Sequence, residues 1–298
     1  MSQRPQHVGV FGIGAIGSII SLQLHLSATT SMTLNHYGRK PKESIRILSC
    51  GEKYVLPISL QKPPYENVQL DWLIVCIKEH QYDEAFESLS KLISFKTKVA
   101  VIRNGLRLKD PVLGLTQEAN ILECQIDCPC QPLADGSYES FRNPIITAQT
   151  GSLAAEFSAL FNDATMAVRQ VEDYKTESWK KVCESSALGA ILCLSGESCW
   201  IFEDPKLQDL YRQLLLEGIE VAKADGAIIE EGFTEQMMDK LLAYPKTKGS
   251  SMLTDRLNGN QIELGAKNKI ISDIGKQYAV DTPLNDLVVA LLSNTNVR

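Results

Sequence analysis

Three groups of residues carry chemistry in this chain. The first is Gly12-Ile13-Gly14-Ala15-Ile16-Gly17, a G-x-G-x-x-G run that follows a short apolar segment and opens a helical one. In that setting each glycine has a reason. Gly12 permits a tight turn, Gly14 lets the backbone approach a pyrophosphate, and Gly17 lets the helix pack against the strand. The helix N-terminus adds unpaired N–H groups and the positive end of a dipole. The run therefore predicts a dinucleotide site built from residues 12–17.

The second group is Asn35-His36-Tyr37-Gly38-Arg39-Lys40, where a second strand ends. NAD enzymes usually place Asp or Glu there, to bond the ribose hydroxyls and repel a 2′-phosphate. Here a guanidinium and an ammonium follow instead, and Arg39 suits a phosphomonoester. The expected cofactor is NADPH rather than NADH.

The third group is dispersed. Lys78 follows DWLIVCI, and Asn104 follows KVAVI within Arg103-Asn104-Gly105. Both stand where open α/β sheets bind ligands, at the carboxyl ends of strands. Lys78 can hold cofactor or substrate oxygens, and Asn104 can orient a reacting group. Either can equally be a loop residue that caps a helix. Lys181, Ser185 and Gly189 recur at i, i+4 and i+8 and share one helix face, although most helical lysines face water. By pattern alone Ser250-Ser251-Met252 and Glu263 read as cap and surface residues.

The elements that must position these groups fall into two textures. His7–Phe11, Met32–Tyr37, Asp71–Ile77 and Lys98–Ile102 read as strands, with a helix over Ala15–Leu26. Continuous apolar strands separated by helices predict a parallel sheet covered on both faces. Ser44–Leu60 alternates around Cys50-Gly51, which predicts a hairpin-like insertion. Beyond Val171, helical spacing is expected over Tyr174–Leu194, Pro205–Gly226, Thr234–Ala243, Ser251–Leu257, Gln261–Tyr278 and a segment after Pro283. The boundary is expected near residues 168–174. The fold class is thus α/β, with an N-terminal Rossmann-type parallel-sheet domain over residues 1–170 and an all-α C-terminal domain over residues 171–298.

Bulk composition narrows the partners. At 298 residues the chain exceeds what one core usually serves. A net charge of -6 gives no global attraction for nucleic acid. No stretch approaches the roughly 18–20 apolar residues that span a bilayer. MSQRPQHVGVFGIG runs straight into a strand without a signal-peptide pattern, so a cytoplasmic location is expected. The eight cysteines include Cys124, Cys128 and Cys130, but no histidine or second pair completes a tetrahedral set, and no metal is expected. Reduced cytosolic thiols fit better.

In order along the chain, VGVFGIGAIGS, VCIKEHQ, IRNGL, ESWKKVCESSALGA, SSMLTDRLNGNQIEL and VDTPLNDLV resemble the signatures of the ketopantoate reductases (2-dehydropantoate 2-reductases). That family uses NADPH to reduce a 2-keto acid in pantothenate synthesis, and the resemblance covers essentially the whole chain. It implies that Lys181 is the general acid and that Glu263 holds the substrate hydroxyl. Ser251 would lie near the substrate carboxylate and Asn104 would be the asparagine of the N-G motif. Lys78 would lie near the nicotinamide, and Arg39 would meet the 2′-phosphate. On assembly the sequence is silent, although helical second domains of this type often pair as homodimers.

The chain also departs from the family. Ser185 and Gly189 stand where the family carries substrate-gripping asparagines, and a further family asparagine falls near Cys199. Arg103 stands where glutamine is common, and ILECQIDCPCQPLADGSYE lacks the usual small-residue pattern. Each lost amide bond removes about 0.5–1.5 kcal/mol of grip. Two alternatives follow: a reductase of another branched 2-keto acid (a D-2-hydroxyacid dehydrogenase), or a non-catalytic NADPH-binding sensor.

Overall fold

The computed structural model describes residues 5–27, 32–39, 42–58, 60–65, 69–161 and 166–294. Lys40, the second cation of the basic stretch, lies outside the described residues. Contacts divide the chain into two units. One comprises residues 1–103 and 107–174; the other comprises residues 104–106 and 175–298.

The first unit begins with β1 (Gln6–Phe11), α1 (Ala15–Ser27) and β2 (Met32–Tyr37), then β3 (Ser44–Ser49), β4 (Glu52–Pro57) and β5 (Leu60–Gln61). It continues with β6 (Trp72–Val75), α2 (Tyr82–Leu92), β7 (Lys98–Ile102), β8 (Ile121–Asp127), β9 (Cys130–Pro132), β10 (Tyr138–Ser140), β11 (Ile145–Gln149), α3 (Ser152–Ser158) and β12 (Ala167–Val171). The main sheet has the order β12-β11-β8-β7-β6-β1-β2-β5. Its centre is parallel, as the uninterrupted apolar strands predict, but β11 runs antiparallel to β8. The sheet is therefore mixed rather than wholly parallel. Alternate strand residues serve opposite faces. Trp72 and Ile74 enter one core with Val8 and Val10, while Leu73 and Val75 enter another with Tyr82, Leu89 and Leu92 of α2.

Ser44–Pro57 does form a hairpin, turning through Cys50 (φ 51) and Gly51 (φ 86). Two successive residues with positive φ match the two-residue turn that suits strand twist. The hairpin joins β9 and β10 in a four-stranded sheet, β4-β3-β10-β9. Its Ile45, Ile47 and Leu56 pack on Ile19 and Leu22 of α1, whose Ile20 and Leu24 face the main sheet. Covered from both sides, α1 is buried continuously from Gly17 to Leu24 and needs no polar stripe.

The second unit holds α4 (Tyr174–Ser195), α5 (Pro205–Ala224), α6 (Phe233–Ala243), α7 (Ser251–Leu257), a π-helical turn (Gly265–Lys269), α8 (Ile270–Tyr278) and α9 (Pro283–Leu292). Local chemistry sets the helix starts. Asp204 accepts from the Lys206 N–H ahead of α5, and Ser250 accepts from Leu253 ahead of α7. For α9 the cap comes from a distance: the Glu217 carboxylate accepts the N–H groups of Leu284 and Asn285 at 2.8 and 3.0 Å. The helix expected over Gln261–Tyr278 starts late. Residues 261–264 are not helical, and Lys267 leaves helical geometry (φ −128°, ψ −107°) before α8 begins.

Candidate active site

In the first unit, Gly12 sits at the end of β1 with φ +91 and donates its N–H to the Tyr37 carbonyl at 3.0 Å. A Cβ there would meet Ile77 Cγ2 at 2.5 Å in a backbone region that side chains avoid. Gly17 is more tightly held, because a Cβ would lie 1.9 Å from the Gly12 carbonyl oxygen. Gly14 is the opposite case: it is exposed and a Cβ would touch nothing within 4 Å. Two glycines thus shape the turn, and the third leaves bare backbone facing open space at the start of α1. Ile13 and Ile16 pack their side chains into the cores beneath, and Ala15 begins the helix. The first turn of α1 carries no acidic side chain. Residues 12–17 therefore fit a dinucleotide pyrophosphate, which needs close backbone approach and helix N–H groups.

Arg39 follows β2, as the sequence suggests, but its guanidinium pairs with Glu84 of α2. Both side chains are largely exposed, at 64% and 66%. An exposed pair of this kind is worth about 0–1 kcal/mol, so a phosphate dianion can displace the carboxylate. Lys78 is half-buried at the start of a short 3-10 turn, with its backbone N–H donating to the Gln81 side chain at 2.9 Å. The strand expected to reach Ile77 ends at Val75, and Lys78 instead caps the turn that follows. Arg103, buried, donates to the Arg107 carbonyl at 3.1 Å and stands over the Tyr82 ring, so it staples its own loop.

Asn104, Gly105 and Leu106, which follow β7, pack with the second unit. Gly105 takes φ +104, and a Cβ there would press within 3.1 Å of Ala266. That close approach brings the Asn104 amide to Glu263, where Nδ2 donates to Oε2 at 3.3 Å. Glu263 is only 6% exposed, so the surface role its sequence pattern suggests is wrong. It lies in the non-helical stretch before the π-helical turn, which turns it inward.

On α4, Lys181 and Ser185 are half-buried and Gly189 is buried. The fully buried ammonium of this unit is a different one, Lys267, which sequence reasoning passed over. Its Nζ donates to the Ser185 carbonyl at 3.3 Å and to Ser251 Oγ at 3.4 Å. Burial pulls its pKa below the ordinary lysine value, and the negative charges of Glu263 and Asp255 oppose that pull. Ser251, in the first turn of α7, is exposed and keeps its hydroxyl beside this ammonium. Cys199 is buried.

A second buried network anchors the turn that carries Lys267. Asn268 donates to Asn285 Oδ1 at 2.9 Å, and Asn285 Nδ2 donates to Glu217 at 2.8 Å. Both asparagines are fully buried. The sequence signal was VDTPLNDLV, which holds Asn285. What it left hidden was the partner, a glutamate on another helix.

No group of three or more His, Cys, Asp or Glu among the described residues could hold a metal ion. No described helix is long and apolar enough to cross a membrane.

Comparison with known proteins places this geometry among relatives. The pattern of ketopantoate reductase PanE/ApbA matches residues 8–150, and that of the ketopantoate reductase PanE/ApbA C terminal matches residues 173–296. A 2-dehydropantoate 2-reductase from Caulobacter vibrioides is 28% identical over 286 residues, covering 96% of this chain and 98% of its own. A dimeric ketopantoate reductase from Staphylococcus aureus superposes with a TM-score of 0.85 at 23% identity, covering 97% of this chain and 98% of that one. D-mandelate dehydrogenase, solved with NADH and anilino(oxo)acetate, gives 0.86 at 20% identity, covering 98% of each chain. The two structural likenesses establish a shared fold.

Proposed function

Because the chain belongs to the ketopantoate reductase family of oxidoreductases, we propose that it uses NADPH to reduce a 2-keto acid to the 2-hydroxy acid. Ketopantoate is the first candidate substrate, which would give the protein a role in pantothenate biosynthesis. We further propose that it acts in the cytoplasm, and as a homodimer, the state described for the S. aureus relative. The observation that carries the reading is the Asn104–Glu263 hydrogen bond. It puts the amide of the N-G loop against a buried carboxylate in the unit that also carries Lys181.

The residues divide the work as follows. Gly12, Ile13, Gly14, Ala15, Ile16 and Gly17 hold the pyrophosphate, Arg39 takes the 2′-phosphate after releasing Glu84, and Lys78 and Asn104 lie toward the nicotinamide end. Bound NADPH supplies a hydride. Reduction of a ketone builds negative charge on its oxygen, which a nearby ammonium stabilises and then protonates. Lys181 has that role. Glu263 accepts from the distal hydroxyl of the substrate, and Ser251 and Ser185 lie along its carboxylate end.

A second reading is favoured by Ser185 and Gly189, neither of which offers a side-chain amide. A branched 2-keto acid without the distal hydroxyl would need fewer such donors. Steady-state rates on ketopantoate and ketoisovalerate, each with NADPH and NADH, separate the readings. The proposed function requires higher kcat/KM for ketopantoate with NADPH. A preference for ketoisovalerate moves the substrate, and no turnover with any 2-keto acid removes the enzyme reading.

A further inference from the structure

Among the described residues, Lys267 is the only buried lysine, at 4% exposure. An ammonium taken out of water is costly unless it is paired with an opposite charge. Here its hydrogen-bond partners are a backbone carbonyl and a serine hydroxyl. They use two of the three ammonium protons. Among the described residues it forms no ion pair: the carboxylates of Glu263, Asp255 and Glu184 act on it from beyond contact.

Gly189 makes room for the Met252 side chain beside this cation. A Cβ at that position would lie 3.6 Å from Lys267 Nζ and 2.8 Å from Met252 Sδ. The Ser185 carbonyl on one side and the Ser251 hydroxyl on the other therefore border a positive group with a proton to spare. The anchored Asn268–Asn285 pair next to it in sequence fixes the turn on which it stands.

We propose that Lys267 is a carboxylate-binding residue: its ammonium, beside the exposed Ser251 hydroxyl, pairs with the carboxylate of the 2-keto acid substrate. The inference rests on the reading of the chain as a 2-keto acid reductase. It explains how the site grips its substrate where α4 offers a glycine and a serine instead of amides. It also explains the tolerance of a buried charge, which the ligand would neutralise.

The test is calorimetric titration of the full-length protein with NADPH present, using oxamate, an irreducible 2-oxo carboxylate, and oxamide, its neutral counterpart. Wild type is expected to bind oxamate about tenfold or more tightly than oxamide, since hydrogen bonds to charged groups are the strong ones. Lys267→Met and Lys267→Gln are expected to lose that preference while keeping NADPH affinity and a melting temperature at or above wild type. Equal affinity for both probes in wild type overturns the proposal, as does unchanged oxamate affinity in the variants. Turnover is read separately. Oxamate binding that depends on Lys267 without reduction of any 2-keto acid would remove the reaction, not this site. Reduction with an unaltered KM in Lys267→Met would remove this site alone.

Discussion

Asn104 and Glu263 lie 159 residues apart in the chain and are joined by a 3.3 Å hydrogen bond from amide to carboxylate. The bond exists because Gly105 can adopt φ +104 against Ala266 and because residues 261–264 do not coil into helix. It gives a buried carboxylate a neutral donor and keeps one oxygen available. Glu263→Gln preserves shape and an acceptor for Asn104. We expect it to retain the fold and to raise KM for ketopantoate by about tenfold, with a smaller effect on ketoisovalerate, which lacks the distal hydroxyl. Equal effects on both substrates would assign Glu263 a structural task.

The two glycines of the turn give a contrasting pair of substitutions. Gly17→Ala drives a Cβ into the Gly12 carbonyl at 1.9 Å and should destabilise the first unit by more than about 2 kcal/mol, as overpacking does. Gly14→Ala meets no protein atom within 4 Å. It should melt like wild type yet bind NADPH at least about tenfold more weakly, because the backbone must approach the pyrophosphate at that point. Wild-type NADPH affinity in Gly14→Ala would argue against a dinucleotide at this turn.

Cofactor choice is expected to turn on the Arg39–Glu84 pair. Glu84→Gln removes a competitor for the guanidinium and should raise the preference for NADPH over NADH by about two- to fivefold, the worth of an exposed pair. Arg39→Met should weaken NADPH and spare NADH. Dissociation constants for the two nucleotides decide. Insensitivity of both to Arg39 would leave the 2′-phosphate without this partner.

How much of this was legible in sequence depended on the range of the interaction. The glycine turn, the hairpin at Cys50-Gly51 and the starts of α5 and α7 are written locally, in positive-φ requirements, the Asp204 and Ser250 caps, and the proline in the first turn of α5. What the sequence left open depends on distant partners. By pattern Glu263 reads as surface until Asn104 reaches it, the Glu84 that pairs with Arg39 comes from α2, and Lys267 follows ordinary helical spacing until the chain leaves helical geometry at that residue. The antiparallel β8–β11 pairing is equally non-local, since nothing in an apolar strand states its direction.

A pH effect is expected from His36 on β2. Burial lowers its pKa from 6.5 to about 4, and its Nε2 has no hydrogen-bond partner among the described residues. Between those values the unfolded chain holds a proton that the folded one excludes. Stability from this group is complete above pH 6.5 and is lost as pH falls toward 4, by on the order of 2–3 kcal/mol. His36→Phe should flatten that part of the profile in urea titrations at pH 4.5 and 7.5. An equally steep profile in the variant would assign the acid sensitivity elsewhere.

The most direct measurement is the rate of NADPH oxidation by Lys181→Ala with the best 2-keto acid of the wild-type protein. A proton-donating ammonium predicts a fall in kcat of about 10²–10⁴-fold, with the NADPH dissociation constant and the melting temperature unchanged. Turnover within a few-fold of wild type would contradict the account, because the developing alkoxide would then be stabilised by some other group.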